Sequence, residues 1–422
     1  MWRLEAVPAY VGGEILPDLF NCGSGLADDL AAVTAEDTQM QVIRETSEAE
    51  FAVYCNLLEA DGFICTFDRK NGSGLYRQYQ KENNLVYTYF TYCDRTARVL
   101  ADKASVPLPD FEDIGGKALH MDTSLMQFGL LYDDMVKWTS CDCGMNYVLR
   151  LHNNKLIVVD GGEAEQATEI AVGEWMKRVR TLTQTNEGDP IEIALWFCTH
   201  PHDDHMDFFV KLIRKYGALL HLERVMFNFP SGSLLSQKPY VRDLRGLLCE
   251  KYPDVRFLKP HTGQRFTIDS AVFDVLYTQE DLLSTKTDDL QFHGANETSA
   301  VVKIEFENRS LLLLADAGDE VEEIVCARYA SDGLSCTFLQ AAHHCINTVE
   351  GLYAFIQSDY VLIPESRYNI HKRFRHNYNV ICKYNDPEKV ILAGDYTSIF
   401  HVCDGEMRME YFPVRGCLYD GT

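Results

Sequence analysis

Residues 191–217, IEIALWFCTHPHDDHMDFFVKLIRKYG, decide how this chain folds and what it holds. The first nine form an apolar run of strand length, and from Phe208 onward the apolar residues recur at helical spacing. Between them lies the charged stretch HPHDDHMD, so the local order is strand, charged loop, helix. His200 and His202 alternate, and an extended backbone points both imidazoles the same way. Asp204 and His205 fall in the first helical turn, where the chain changes direction and their side chains reach a second position beside the first. A lone histidine is more often structural or on the surface. With 13 histidines in 422 residues, however, His-x-His-x-Asp-His arises by chance with a probability on the order of one in a thousand or less. The four are therefore read as metal ligands.

Working outward, MNYVLRLHNNKLIVVDGG (145–162) reads as a hairpin with a polar turn at Asn153-Asn154, ending at Asp160-Gly161-Gly162. A helix is expected over about 164–183. Downstream, AVVKIEFENRSLLLLADAG (300–318) gives a second hairpin ending at Asp316, and CTFLQAAHHC (336–345) a strand ending at His343 and His344. Strand ends are where ligands from distant sequence converge on one edge of a sheet. Asp316 can bridge two ions, and a histidine after the 336–342 strand would close the second site. Nitrogen and oxygen donors of this kind suit zinc, and manganese or iron would also fit. The expected cofactor is thus two divalent metal ions, zinc first. Paired ions lower the pKa of a bound water to about 7 and so supply hydroxide at neutral pH. Asp204 is an expected catalytic residue, and so is whichever histidine of the 343–344 pair does not ligate, by stabilising charge or protonating the leaving group. Asp160 either orients a ligating imidazole through its free N–H or simply begins a turn with Gly161 and Gly162.

The rest of the chain sets bounds. Its 422 residues suggest one large domain with an added module. Residues 1–45 read as an extended arm. A capping box at Ser47 and Glu50 starts a helix of about 47–60. FICTFDR, LYRQYQ, LVYTYFTY and TARVLAD then read as short antiparallel strands joined by turns. The Pro- and Gly-rich SVPLPDFEDIGG places a boundary near residue 115, giving a small α+β module over 1–115 and a larger domain over 116–422. Tyr76, Tyr79, Tyr87, Tyr89 and Tyr92 read as sheet core, with a substrate cleft or a dimer interface as rivals. The formal charge of −24 disfavours duplex nucleic acid as a partner. No apolar run approaches the roughly 20 residues that span a bilayer. Fourteen scattered cysteines without framework spacing point to a reduced, cytoplasmic protein. Cys141 and Cys143 flank one aspartate but have no matching pair, which favours a structural reading over a metal or redox one.

The order Asp160, HPHDDH, Asp316, terminal histidine resembles the metallo-β-lactamase superfamily over about residues 118–415. Within it, NETSAVVKIEF, SLLLLADAG, LQAAHHC and the late ILAGDYTSIFHVCDGEMRMEYF look most like the hydrolase domain of DNA-uptake channel proteins and like teichoic-acid phosphorylcholine esterases. The resemblance implies a four-layer αββα sandwich (an α/β, α+β fold) with metals at one edge of two packed sheets. It implies too that His344 is the ligand and that His343 faces the substrate. The chain departs from the wider pattern at the middle histidine. His261 reads as preceding a hairpin rather than ending a strand, which leaves His293 as the better extra ligand. The two groups of relatives manage without this ligand, so one ion would bind more weakly.

For the substrate, SRYNIHKRFRHNYN carries Arg367, His371, Lys372, Arg373, Arg375 and His376 without an acid. Arg373, Arg375 and His376, with Asn296, are candidates for holding an anionic group, and a solvated basic helix is the rival reading. The leading expectation is a phosphodiesterase or phosphoesterase acting on a small or single-stranded phosphoester. The alternatives are hydrolysis of a lactone, thioester or amide on the same metals, and a non-enzymatic metal-binding scaffold or sensor. The expected partner is a small or short anionic substrate, with no membrane, and oligomerisation through the N-terminal module is a further option.

Overall fold

The computed structural model describes residues 6–16, 39–103, 122–129, 144–163, 169–230, 244–287, 292–394, 396–403 and 405–413. The expected boundary near residue 115, the Cys141/Cys143 pair and the first residues of the helix expected from 164 lie outside them.

The N-terminal part is a six-stranded antiparallel sheet with one helix. The strands are β1 (Glu14–Ile15), β2 (Gln39–Ile43), β3 (Ile64–Asn71), β4 (Gly74–Lys81), β5 (Asn84–Thr91) and β6 (Thr96–Lys103), in the order β1-β2-β6-β5-β4-β3. The end of the expected arm is in fact β2. All five of its residues are buried, and the Gln41 side chain holds the preceding segment through Tyr10 and Gly13. That contact is between residues about 30 apart, invisible to local periodicity. The helix Glu48–Ala60 starts at the Ser47 capping box and buries Phe51, Tyr54, Cys55 and Leu58 against Tyr79, Val86 and Phe90 on one sheet face. Alternation sends Tyr76, Tyr87 and Tyr89 to the other face, where they pack with Leu282, Leu283, Val325 and Tyr329 of the rest of the chain. Tyr92 is partly exposed.

The remainder is two sheets packed face to face. In the first, β7 (Thr123–Gln127), β8 (Tyr147–Arg150) and β9 (Leu156–Val159) are antiparallel. From β9, parallel pairing continues through β10 (Ile191–Phe197), with β11 (Leu220–Leu222) and β12 (Arg224–Met226) beside it, to β13 (Arg256–Leu258). In the second, β14 (Arg265–Ile268), β15 (Ala271–Tyr277), β16 (Val301–Phe306) and β17 (Arg309–Leu313) are antiparallel. Then β17, β18 (Cys336–Gln340), β19 (Ser358–Ile363) and β20 (Val390–Leu392) run parallel. The hairpin of β21 (Tyr396–Cys403) and β22 (Glu406–Pro413) returns to the first sheet beside β7.

Leu149, Ile157, Leu195 and Phe197 of one inner face meet Val302, Ile304, Leu311 and Phe338 of the other, each fully buried side chain contributing about 1.5–3 kcal/mol. Helices Glu169–Thr183 and Asp203–Tyr216 cover the outside of the first sheet through Trp175 and Phe209, which stack in series with Trp196. Helices Asp319–Arg328, Glu350–Phe355 and Arg375–Tyr384 cover the second. The result is the four-layer αββα arrangement. Buried strands of β-branched and aromatic residues form its centre because both of their faces are covered. Among the described residues no helix is long and apolar enough to cross a membrane.

Candidate metal centre

The parallel strands of both sheets end at one edge, the side where α/β folds place their ligands. Asp160 directly follows β9, His200 lies three residues past the end of β10, Asp316 three past the end of β17, and β18 runs into the turn carrying His343 and His344.

His202 ends the extended stretch, and the helix Asp203–Tyr216 begins at the next residue, so Asp204 and His205 lie in its first turn. Gly161 allows this helix to sit against β9. Its N–H donates to the His205 carbonyl at 2.6 Å, and a Cβ there would lie 2.5 Å from the Phe209 amide nitrogen. Asp160 has a left-handed backbone, φ 52°, and its carbonyl is held by Asn146 Nδ2 and Trp196 Nε1. Its carboxylate then accepts from Thr199 N and Oγ1, both at 2.7 Å, and pairs with His205 Nδ1 at 2.7 Å. That bond fixes the imidazole so that Nε2 points into the site.

At the same edge, on the second sheet, His343, His344 and Cys345 are all left-handed, with φ of 45°, 52° and 68°. Three successive non-glycine residues in this region are strained, and the surroundings hold them. His343 N donates to Ala315 O at 2.8 Å, His344 Nδ1 faces Pro364 O at 3.3 Å, and Asn377 Nδ2 donates to the carbonyls of Cys345 and Ile346. Gln340 joins the two strand ends, its Oε1 accepting from Leu314 N and Ala315 N and its Nε2 donating to Ala315 O.

Two groups of donors that share Asp316 converge there. In the deeper one, His205 Nε2 lies 3.1 Å from His344 Nε2 and 3.1 Å from Asp316 Oδ1. His344 Nε2 lies 3.4 Å from the same oxygen and 3.0 Å from Asp204 Oδ2. Tetrahedral donors around zinc at about 2.0–2.1 Å stand about 3.3 Å apart, so the spacing of these four fits a divalent ion. In the shallower group, His200 Nε2 faces Asp316 Oδ2 at 3.6 Å, and the half-buried His202 stands beside it. The two oxygens of Asp316 are thus directed one to each group. His200 Nε2 and both Asp316 oxygens are buried and make no hydrogen bond among the described residues. Orphaned buried acceptors of this kind are costly unless a cation meets them.

The electrostatics point the same way. Burial would depress His205, but Asp316, Asp204 and Asp160 hold it well above the usual imidazole range. Burial also works against His344, which Asp316 and Asp204 nevertheless raise to about 9. Burial would lift Asp316, and its surrounding histidines outweigh it and keep the carboxylate well below the ordinary range. Burial, with His205 next to it, holds His200 well below its usual value. The carboxylates demand positive charge at this point, and protons on His205 and His344 supply it where a dication does not.

His343 is less buried than His344. Its Nε2 lies 3.1 Å from Asn296 Nδ2 and 3.6 Å from Asp316 Oδ2. Those two partners line a cleft of about 480 Å³ together with Glu297, Asp319, Glu320 and Asn347. The other expected positions differ. His293 is exposed, its backbone N–H on the Glu297 carboxylate, and it belongs to neither donor group. The four-residue 3₁₀ turn Ala295–Thr298 separates it from the strand that would have carried it inward. His261 is buried away from the ligands, paired with Glu280 and stacked on Tyr87. Arg373, Arg375 and His376 are exposed and do not line the cleft. Their segment reaches the site through Asn377 instead. Thr199, Gln340, Ser299 and Asn377 escaped the sequence reading. A polar Gln340 closing the apolar CTFLQ was the one available signal.

No family model matches the chain, and no curated protein matches it. Solved structures do. The metallo-beta-lactamase fold protein YhfI of Bacillus subtilis is 10% identical, with 64% of this chain and 96% of that one covered and a TM-score of 0.40. Zn(2+)-bound PqqB of Methylobacterium extorquens is 11% identical, with 64% and 97% covered and a TM-score of 0.37. The short form of human tRNase Z is 12% identical, with 64% and 96% covered and a TM-score of 0.36. Such distant likenesses carry no argument about activity. The sheet order and the donors at the shared strand edge themselves define a metallo-β-lactamase-type αββα sandwich with a candidate His/Asp metal cluster.

Proposed function

We propose that this protein is a metal-dependent hydrolase holding two divalent ions, zinc first, and acting on a small phosphoester. The observation that carries the reading is Asp316, buried and orphaned, with one carboxylate oxygen toward each donor group. His205, His344, Asp204 and Asp316 would hold one ion; His200, His202 and Asp316 the other. When bound, such a pair supplies hydroxide at neutral pH and polarises the electrophilic oxygen. The chain's own residues do the rest. Asp160 fixes the His205 tautomer, and Thr199, facing His200 Nδ1 at 3.2 Å, orients the second ring. His343 stands beside the cleft with Asn296, placed to hold a substrate oxygen or to pass a proton to the departing one. A cleft of about 480 Å³ suits a small molecule or the end of a strand.

One observation favours a second reading, hydrolysis of a lactone, thioester or amide. Among the described residues the cleft has no lysine or arginine and three carboxylates besides Asp316, which suits a substrate with little negative charge. Turnover of bis(p-nitrophenyl) phosphate against lactone and β-lactam substrates separates the two, with Asp204→Asn as control. Diester hydrolysis lost in the variant supports the first; lactone turnover alone overturns it.

A further inference from the structure

The six-stranded sheet contributes no residue to the metal centre, yet it grips the two helices that lead there. The focus is Asp281, fully buried in the helix Gln279–Thr285. Its Oδ1 accepts from Tyr89 OH on β5 at 3.0 Å and from Arg328 Nη2 at 2.8 Å, and its Oδ2 from Thr262 Oγ1 at 2.6 Å. Arg98 on β6, also fully buried, lies 4.0 Å from Asp281 Oδ1 and donates through Nε to Ser284 Oγ at 2.8 Å. Arg44, just after β2, donates to the carbonyls of Ser284 and Lys286, capping the same helix at its C-terminal end. The β3–β4 turn takes hold of the other helix: Ser73 N donates to Arg328 O at 2.7 Å. Gly72 there is left-handed, and a Cβ on it would lie 2.4 Å from that carbonyl.

Arg328 ends the helix Asp319–Arg328, whose first turn directly follows Asp316. The helix Gln279–Thr285 packs against the turn Ala295–Thr298, and Ser299, next after that turn, accepts the Asp316 amide through Oγ at 3.1 Å. One buried carboxylate, held from β5 and β6, therefore ties together the segments on both sides of the bridging residue. A ten-residue helix is about 15 Å long, so any effect on Asp316 passes through a rigid element rather than by contact. A buried charge with several bonds admits few alternative arrangements.

We infer that the six-stranded sheet is a positioning element of the metal centre, with Tyr89 and Arg98 as positioning residues that act through Asp281 on the helices flanking Asp316. The inference rests on the metal reading only for its consequence, and so the first readout needs no metal.

The test is amide hydrogen exchange of metal-free protein over residues 292–300 and 310–318, in Tyr89→Phe, Arg98→Met and a Leu58→Ala control. Leu58 lies in the core on the far side of the same sheet, so its truncation weakens that layer without touching Asp281. Tyr89→Phe keeps the ring and loses only the hydroxyl, and it serves where Arg98→Met does not fold. At temperatures matched for distance below each midpoint, exchange over both segments rises about tenfold in Tyr89→Phe, the size of one hydrogen bond to a charged group. It stays within about twofold in the control. The second readout is zinc competition against a chromogenic chelator, where Tyr89→Phe weakens uptake and Leu58→Ala does not. Equal exchange in Tyr89→Phe and the control overturns the inference. If wild-type protein takes up no zinc, the metal reading fails while the exchange result still decides this one.

Discussion

The two donor groups sharing Asp316 differ in depth and in number. The deeper has three buried side chains of its own, His205, His344 and Asp204, with His205 held by Asp160 and His344 facing the Pro364 carbonyl. The shallower has His200 and a half-buried His202. A closed four-donor cage is what structural metal sites use, whereas open positions are where catalysis occurs. On the two-ion reading proposed above, a deep ion would hold the strand ends together and a shallow one would meet the substrate.

The largest expected effect breaks both sites at once. Asp316→Ala removes the shared ligand and with it several kcal/mol of transition-state stabilisation, about a thousandfold or more in turnover, measured as kcat/KM on the diester. The contrast itself is sharpened by a pair of variants: His344→Ala abolishes tight metal uptake, whereas His202→Ala leaves about one tightly bound equivalent by metal analysis. Next in size, Asp160→Asn removes the charge and turns one of the two oxygens that accept from Thr199 and His205 into a donor, which loosens the His205 tautomer, and metal affinity falls about 10–100-fold. Zinc competition reads this directly.

A pH effect follows from His344. Its folded pKa is raised to about 9 in the metal-free protein, above the unfolded value of about 6.5. The stability it contributes is therefore fully present below about 6.5 and is lost as pH rises through about 9. Metal must displace that proton, so affinity rises over the same window. Chemical denaturation of metal-free protein at pH 6.5 and 9, with zinc competition at both, shows opposite trends; parallel trends contradict the account. The smallest effect is expected at the basic segment. Arg373→Ala with Arg375→Ala leaves the Michaelis constant of an anionic substrate unchanged within about twofold, since both side chains are exposed surface charges.

Much of the site was legible because its residues are local or terminate strands. HPHDDH carries its own spacing, and Asp160, Asp316 and the His343-His344 pair each follow a run that reads plainly as a strand, the choice of His344 within the pair coming from the family resemblance alone. The strands of residues 64–103 and the helix at Ser47 were legible from alternation and a capping box. What escaped depends on tertiary contact. β2 is a strand because β6 pairs with it. His293 is exposed, just before a 3₁₀ turn, and belongs to neither donor group. The basic segment looked like an anion site because composition does not tell which helix face meets the cleft; the useful residue in it is the uncharged Asn377. The Asp281 network joins residues nearly 200 positions apart, with no local signature.

The most direct test is a zinc titration of metal-free protein against a chromogenic chelator, read for stoichiometry and for each affinity. The account predicts two equivalents, one tight and one weaker, with His202→Ala losing only the weaker. No tight binding, or two equivalents of equal strength that His202→Ala does not separate, would contradict it.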